Sequence, residues 1–190
     1  KFNAHEWFAS LLFHGMLLWL GEGGMPLFIG FLGLVFFAQM AVLAWLRGHA
    51  SLPLALCCAL LAVAVENYRH VLRPELISLI WMGFLWIFLE LFRRHARWWQ
   101  AALVLGFLVL WVNSHGSFIL GPVLILIYAA GAYLTSVRAS GYRHWWPAAE
   151  AYPLMGLGLA ACVCCLINPF GLELVRFAIG FGGNSGLQML

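Results

Sequence analysis

Long apolar runs separated by short polar loops fill most of the sequence. The clearest run extends from Met25 to Leu46, contains no charged residue and ends at Arg47. About 20 apolar residues let a helix cross a hydrocarbon core about 30 Å thick, because a helix satisfies its own backbone hydrogen bonds. The pattern therefore predicts an all-α, polytopic transmembrane bundle with about six spans in a single domain, residues 1–190. The predicted spans cover residues 25–46, 49–67, 74–92, 98–112, 117–137 and 145–167.

The two ends of the chain depart from this pattern. Residues 7–20 form a short apolar stretch interrupted by a histidine and bounded by polar residues on both sides. Such a segment is typical of an interfacial or re-entrant helix. Residues 172–190 stay ambiguous, because a glutamate, an arginine and a glycine-rich stretch weaken a seventh span. The chain begins at Lys1 without a signal-peptide pattern, which indicates an internal piece of a longer protein.

The composition agrees with a membrane as the main solvent. The chain is 64% hydrophobic and only 9% charged, whereas about a quarter of the residues in a soluble domain are charged. The arginines lie in short loops and form no basic stripe interleaved with aromatic residues, so the sequence speaks against nucleic acid as a partner. The five cysteines lie within apolar runs, without histidines at zinc-ligand spacing, and no metal site is evident.

The charged residues divide between two faces of the predicted bundle. If residues 7–20 do not cross, alternation of the spans places six of the nine arginines on one face, and the positive-inside rule assigns this face to the cytoplasm. These are Arg47, Arg93, Arg94, Arg97, Arg138 and Arg143. Glu90 and Glu150 lie near them and are explained as local ion pairs or snorkelling side chains. The other five glutamates gather on the opposite, outer face.

The richest polar loop on the outer face is the segment 66–75. Arg69 and Arg73 offer guanidinium groups suited to phosphate or carboxylate oxygens, and the loop also contains His70, Glu66 and Glu75. Ionisable residues near a bilayer are costly, so this concentration favours a functional site. The alternative is a salt-bridged loop at the level of the lipid headgroups, without any enzyme.

Three smaller motifs share the predicted outer face. His115 lies in a tight turn next to Asn113, where it either points into a cavity or caps a helix. Asn168 precedes a proline and would ordinarily stop a helix. His5 and Glu6 precede the first apolar stretch, as at an ordinary helix start.

The order of these motifs resembles a known family. His-Glu-Trp opens one helix, Arg-Pro-Glu-Leu opens another, Trp-Val-Asn-Ser-His-Gly-Ser-Phe connects two spans, and Asn-Pro-Phe-Gly follows the last span. The series resembles bacterial multi-spanning membrane proteins that look like C-type glycosyltransferases. The resemblance implies a bacterial cytoplasmic membrane protein that takes a sugar from a polyprenyl-phosphate carrier on the outer face. Ser117 stands where the family has a second glycine, and the family's upstream acidic motif with aspartates is missing here.

The resemblance also implies roles for individual residues. Arg69, Arg73 and His115 would stabilise the departing lipid phosphate, and a carboxylate would act as general base on the acceptor hydroxyl. The remaining candidates for substrate binding are His5, His70, Asn113 and Asn168. The expected catalytic aspartate must come from a preceding segment, so the catalytic residue is not identified; Glu6, Glu66 and Glu75 are the candidate carboxylates within this chain. If these 190 residues were the whole protein, we would not expect an active transferase.

Two other functions stay open at this stage. A non-catalytic subunit of a larger membrane complex would keep the helix-packing faces and lack the catalytic loop. A transporter would require polar residues at mid-depth of the membrane, where the sequence offers only Gln39 and Ser78. The expected partners are membrane lipids, a polyprenyl phosphate and other membrane subunits.

Overall fold

The computed structural model describes residues 6–48, 53, 56–57, 74–139 and 151–183, and this part of the chain is helical, without β-strands. The predicted all-α fold is therefore confirmed for the described residues. The elements are α1 (Trp7–Gly48), α2 (Pro74–His95), α3 (Trp98–Val112), a 3-10 turn (Gly116–Ile119), α4 (Leu120–Ala139), α5 (Tyr152–Cys164) and α6 (Leu172–Gly183).

Helices α2 and α3 agree closely with their predicted spans, whereas α5 ends at Cys164, before the predicted end of its span at residue 167. Helix α3 has the bounds predicted for its span, and α2 begins at Pro74, where the missing N–H of proline costs no helical hydrogen bond. The span predicted at 117–137 is divided, because a 3-10 turn precedes α4. The span predicted at 49–67 falls almost entirely outside the described residues, as do residues 145–150 and 184–190.

Helix α1 differs from the expected interfacial or re-entrant helix at residues 7–20 with a separate span at 25–46. Helical structure continues through the polar residues 21–24, and only Gly21 leaves the helical conformation, with φ 67° and ψ 176°. In a straight helix Phe13 and Phe28 would lie about 22 Å apart, yet their rings are 6.4 Å apart. The chain therefore folds back at Gly21, and the first part of α1 packs against the second.

Three helical stretches are long and apolar enough to cross a membrane, namely Trp7–Arg47, Pro74–His95 and Gly116–Ala139. Helices α3 and α5 are also apolar but shorter, with 15 and 13 residues. Large apolar side chains such as Leu18, Leu126 and Leu159 lie exposed on the helix surfaces, as suits contact with lipid. These features support an integral membrane protein, while the number of crossings stays a prediction.

Two apolar clusters hold the helices together. The larger one joins α2, α3, α4 and α5 around the fully buried Leu85, Leu108 and Ile125. The smaller one joins both parts of α1 to α2. Within this second contact Gln39 is buried, and its Nε2 donates a hydrogen bond to the carbonyl of Ile80 over 3.0 Å. The second part of α1 thus runs beside α2, and Gln39 serves this packing.

Candidate functional site

Two of the predicted outer-face motifs form a polar cluster at one end of the bundle, which we name the His115 cluster, and a third motif lies beside it. The cluster begins where α3 ends. Asn113 Nδ2 donates to the carbonyl of Val109 over 2.8 Å, and Ser114 Oγ donates to that of Leu110 over 2.6 Å. These bonds satisfy carbonyl groups that the last turn of a helix leaves without intrahelical partners. The members of the cluster are Glu6, Trp7, Asn113, Ser114, His115 and Ser117.

Asn113 connects three segments that are distant in sequence. Its Oδ1 accepts a hydrogen bond from Trp7 Nε1 over 3.1 Å, and its backbone carbonyl accepts one from the amide of Phe8, also over 3.1 Å. Its Nδ2 also donates to the carbonyl of Ile167 over 2.9 Å. Because the side chain is nearly buried, these bonds fix the start of α1 and the segment after α5 against the end of α3.

His115 has a defined orientation within this cluster. The backbone amide of Ser117 donates to its Nδ1 over 3.1 Å, and Ser117 Oγ lies 2.8 Å from the same nitrogen. In a neutral ring, Nδ1 is then the acceptor and Nε2 carries the proton. Nε2 lies 3.4 Å from Glu6 Oε1, so the ring's N–H is directed toward a carboxylate. The His115 side chain keeps 19% of its surface exposed and that of Glu6 keeps 36%, so both are accessible.

Two further indole groups anchor the turn. Trp81 Nε1 donates to Ser114 Oγ over 3.1 Å, and Trp111 Nε1 donates to Ser117 Oγ over 3.3 Å. Ser117 stands where the family that the sequence resembles has a second glycine. Its hydroxyl and its backbone amide both contribute to holding His115, which a second glycine could do only through the backbone.

Asn168 has a mainly local role. Its Nδ2 donates to the carbonyls of Cys165 and Gly171 over 2.8 and 3.3 Å, and its Oδ1 accepts from the amide of Phe170 over 2.8 Å. Gly171 adopts a φ of 53°, as a tight turn after a helix often requires. The hydrogen bonds of the Asn168 side chain are therefore those of a residue that ends a helix. The carbonyl of the preceding residue, Ile167, accepts a hydrogen bond from Asn113.

The structure thus brings three of the four predicted motifs together. Glu6 lies beside His115, and the next residue, Trp7, bonds to Asn113. Asn168 directly follows Ile167, whose carbonyl accepts a hydrogen bond from Asn113. Glu75 lies exposed in the first turn of α2. The remaining candidates, His5, Glu66, Arg69, His70 and Arg73, lie outside the described residues.

A second polar group, the Glu90 cluster, lies further along α2. It consists of Arg47, Trp86, Glu90, Arg93 and Tyr128. Glu90 is 1% exposed and accepts a hydrogen bond from Arg93 over 2.6 Å and another from Tyr128 over 2.8 Å. Arg47 Nε lies 3.5 Å from the same carboxylate. Trp81, which reaches the His115 cluster, lies about 14 Å from Glu90 along the helix axis.

Tyr128 completes the Glu90 cluster. Its hydroxyl accepts hydrogen bonds from Arg47 and from Trp86 Nε1, and Arg47 also lies over both aromatic rings. The ion pairs expected for Glu90 are confirmed, but the carboxylate is buried rather than snorkelling. One feature of the sequence indicated part of this cluster, because Trp86 and Glu90 are four residues apart and share a helix face. Nothing in the apolar run of α4 indicated that Tyr128 would join them.

Within the described residues, no group of three or more His, Cys, Asp or Glu side chains could hold a metal ion. No protein-family model, curated protein or solved structure matches this chain. The function is therefore inferred from the geometry of the two clusters and from the order of the motifs in the sequence.

Proposed function

We propose that the chain forms the membrane core of a glycosyltransferase resembling the C-type enzymes, which uses a sugar linked to a lipid phosphate. The observation that carries the proposal is the contact of Glu6 and Trp7 with Asn113 and His115. These residues belong to two motifs more than 100 positions apart, and Asn113 also bonds to Ile167, the residue directly before a third motif. Motifs with a common catalytic purpose would be expected to meet in this way.

His115 is the proposed contact to the lipid phosphate. Ser117 fixes the ring through Nδ1, and the Nε2–H, which faces Glu6 over 3.4 Å, would donate to the phosphate in place of Glu6. Arg73 directly precedes Pro74 in the sequence and would add positive charge. Glu6 is the described carboxylate that lies beside His115.

Binding of a polyprenyl phosphate to the purified protein tests this assignment. Replacing His115 by alanine removes a charge-assisted hydrogen bond. A contribution of about 1.5–3 kcal/mol corresponds to at least about a tenfold weaker affinity. His14→Ala is the matched control, because His14 is an exposed histidine on α1. Equal affinities of the two variants would contradict the proposal.

The burial of Asn113 and Ser114, in the motif that follows α3, favours a second function, that of a complex subunit. Asn113 and Ser114 are 9% and 0% exposed, and both side chains bond to protein groups. These two residues are therefore accounted for by the fold alone, as in a non-catalytic subunit of a membrane complex. Purification in mild detergent separates the two functions. Stoichiometric co-purification of other membrane proteins, without polyprenyl phosphate binding, favours the subunit.

A further inference from the structure

A cavity of about 690 Å³ lies beside the Glu90 cluster. Its lining contains Arg47, Arg93 and Tyr128, and Arg47 donates a hydrogen bond to the Tyr128 hydroxyl. Small residues of α4, among them Gly131, and the beginning of α5 complete the lining. Pockets of about 300–1,000 Å³ are typical for small-molecule ligands. The volume therefore suits a ligand larger than a simple ion.

Among the residues that the structure describes, the cavity wall carries more positive than negative charge. Two arginines share one carboxylate there, and this carboxylate is buried with 1% exposure. The arginine side chains keep 49% and 53% of their surface exposed. Each guanidinium has five N–H donors, and the contacts within the described residues employ only Nε and Nη2 of Arg47 and Nη2 of Arg93. The arginines thus present positive charge and hydrogen-bond donors to the cavity.

We propose that this cavity binds the phosphate group of an anionic membrane lipid through Arg47 and Arg93. Paired guanidinium groups match phosphate oxygens in charge and geometry, and basic pockets between membrane helices are known sites for anionic headgroups. The lining also contains Ile127 and Leu154, and Ile127 is largely exposed. Apolar surface next to the arginines favours a lipid over a soluble phosphate compound. The inference is independent of the transferase proposal, which concerns the His115 cluster.

Competition binding to the lipid-free protein in neutral detergent tests the site, for example by native mass spectrometry. The probes are short-chain phosphatidylglycerol, phosphatidylcholine with the same acyl chains, and inorganic phosphate. We expect phosphatidylglycerol to bind in preference to both. Arg93→Gln should weaken its binding about tenfold, the effect of losing about 1.4 kcal/mol of charge-assisted hydrogen bonding. The matched control is Arg176→Gln, which removes the same charge from an exposed residue of α6 outside the cavity lining and should leave affinity unchanged.

A second variant, which fills the cavity, keeps the site testable if Arg93→Gln fails to fold. A Cβ added at Gly131 meets no other heavy atom within 4 Å, so Gly131→Leu can occupy cavity space without changing charge. It should also weaken phosphatidylglycerol binding. Unchanged binding in both Arg93→Gln and Gly131→Leu would overturn the proposal, and so would equal binding of phosphatidylcholine. If inorganic phosphate competes as well as phosphatidylglycerol, the site belongs to a soluble phosphate and the lipid assignment is wrong.

Discussion

Replacing Asn113 by alanine should destabilise the protein through contacts that span most of the chain. The substitution removes the hydrogen bond from Trp7 Nε1 and the bond to the carbonyl of Ile167. It also removes the local bond to Val109. The first two bonds join the start of α1 and the segment after α5 to the end of α3, so their loss affects the association of helices rather than one turn.

The expected magnitude follows from the burial of each partner. Hydrogen bonds between membrane helices contribute about 0.6 kcal/mol on average and up to about 1.7 kcal/mol. Asn113 is 9% exposed and its side chain makes three hydrogen bonds, whose losses add, while its partner Ile167 is 54% exposed and adds no penalty for a buried carbonyl. Trp7 is 40% exposed, so its indole N–H can turn to water and adds little to the penalty. We therefore expect Asn113→Ala to lower the free energy of unfolding by about 1.5–3 kcal/mol.

A double-mutant cycle isolates the long-range bond. Trp7→Phe keeps an aromatic ring and removes only the polar N–H. The free energy of unfolding is measured for both single variants and the double variant by SDS titration in mixed micelles, with far-UV circular dichroism as the signal. We expect a coupling energy of about 0.6–1 kcal/mol between Trp7 and Asn113. A parallel cycle with Asn168→Ala should give none, because Asn168 bonds within its own turn. Additive effects in the Asn113 cycle would refute the reasoning.

Two glycine substitutions test the helix packing and the fold-back of α1 by thermal unfolding. A Cβ at Gly83 would lie 2.2 Å from Gln39 Oε1, so Gly83→Ala should cost about 1–3 kcal/mol, while Gly106→Ala meets open space and should be neutral or stabilising. Equal melting temperatures of these two variants would contradict the packing of Gln39. Gly21→Ala should cost about 1–2 kcal/mol, because an L-residue is strained at φ 67°, whereas Gly15→Ala should not destabilise. A Gly21→Ala variant as stable as Gly15→Ala would mean that the chain does not turn there.

Much of the helical framework could be predicted because hydropathy and helix signals act over short distances. Pro74 marks the start of α2, and the apolar run 98–112 has the bounds of α3. The meeting of Glu6 with the 113–117 turn was also predictable in outline, since alternation of the spans places these motifs on one face. Their contacts are hydrogen bonds that the motif order did not specify in detail.

The sequence pattern was insufficient where the outcome depends on backbone conformation or helix rotation. Gly21 belongs to a polar stretch that resembles a linker, and hydropathy does not distinguish a linker from a single residue with positive φ. Tyr128 lies within an apolar run, and its contact with Glu90 depends on how α4 is rotated against α2. The burial of Glu90 could not be inferred from its position beside the arginines, because only packing removes it from solvent.

A cryo-EM structure of the protein with bound polyprenyl phosphate would show whether the His115 cluster receives a lipid phosphate. We expect phosphate oxygens within hydrogen-bond distance, about 3 Å, of His115 Nε2, with Glu6 beside the ring. A polyprenyl phosphate whose phosphate lies instead at the Arg47 and Arg93 end, with the His115 cluster unchanged, would contradict the proposal.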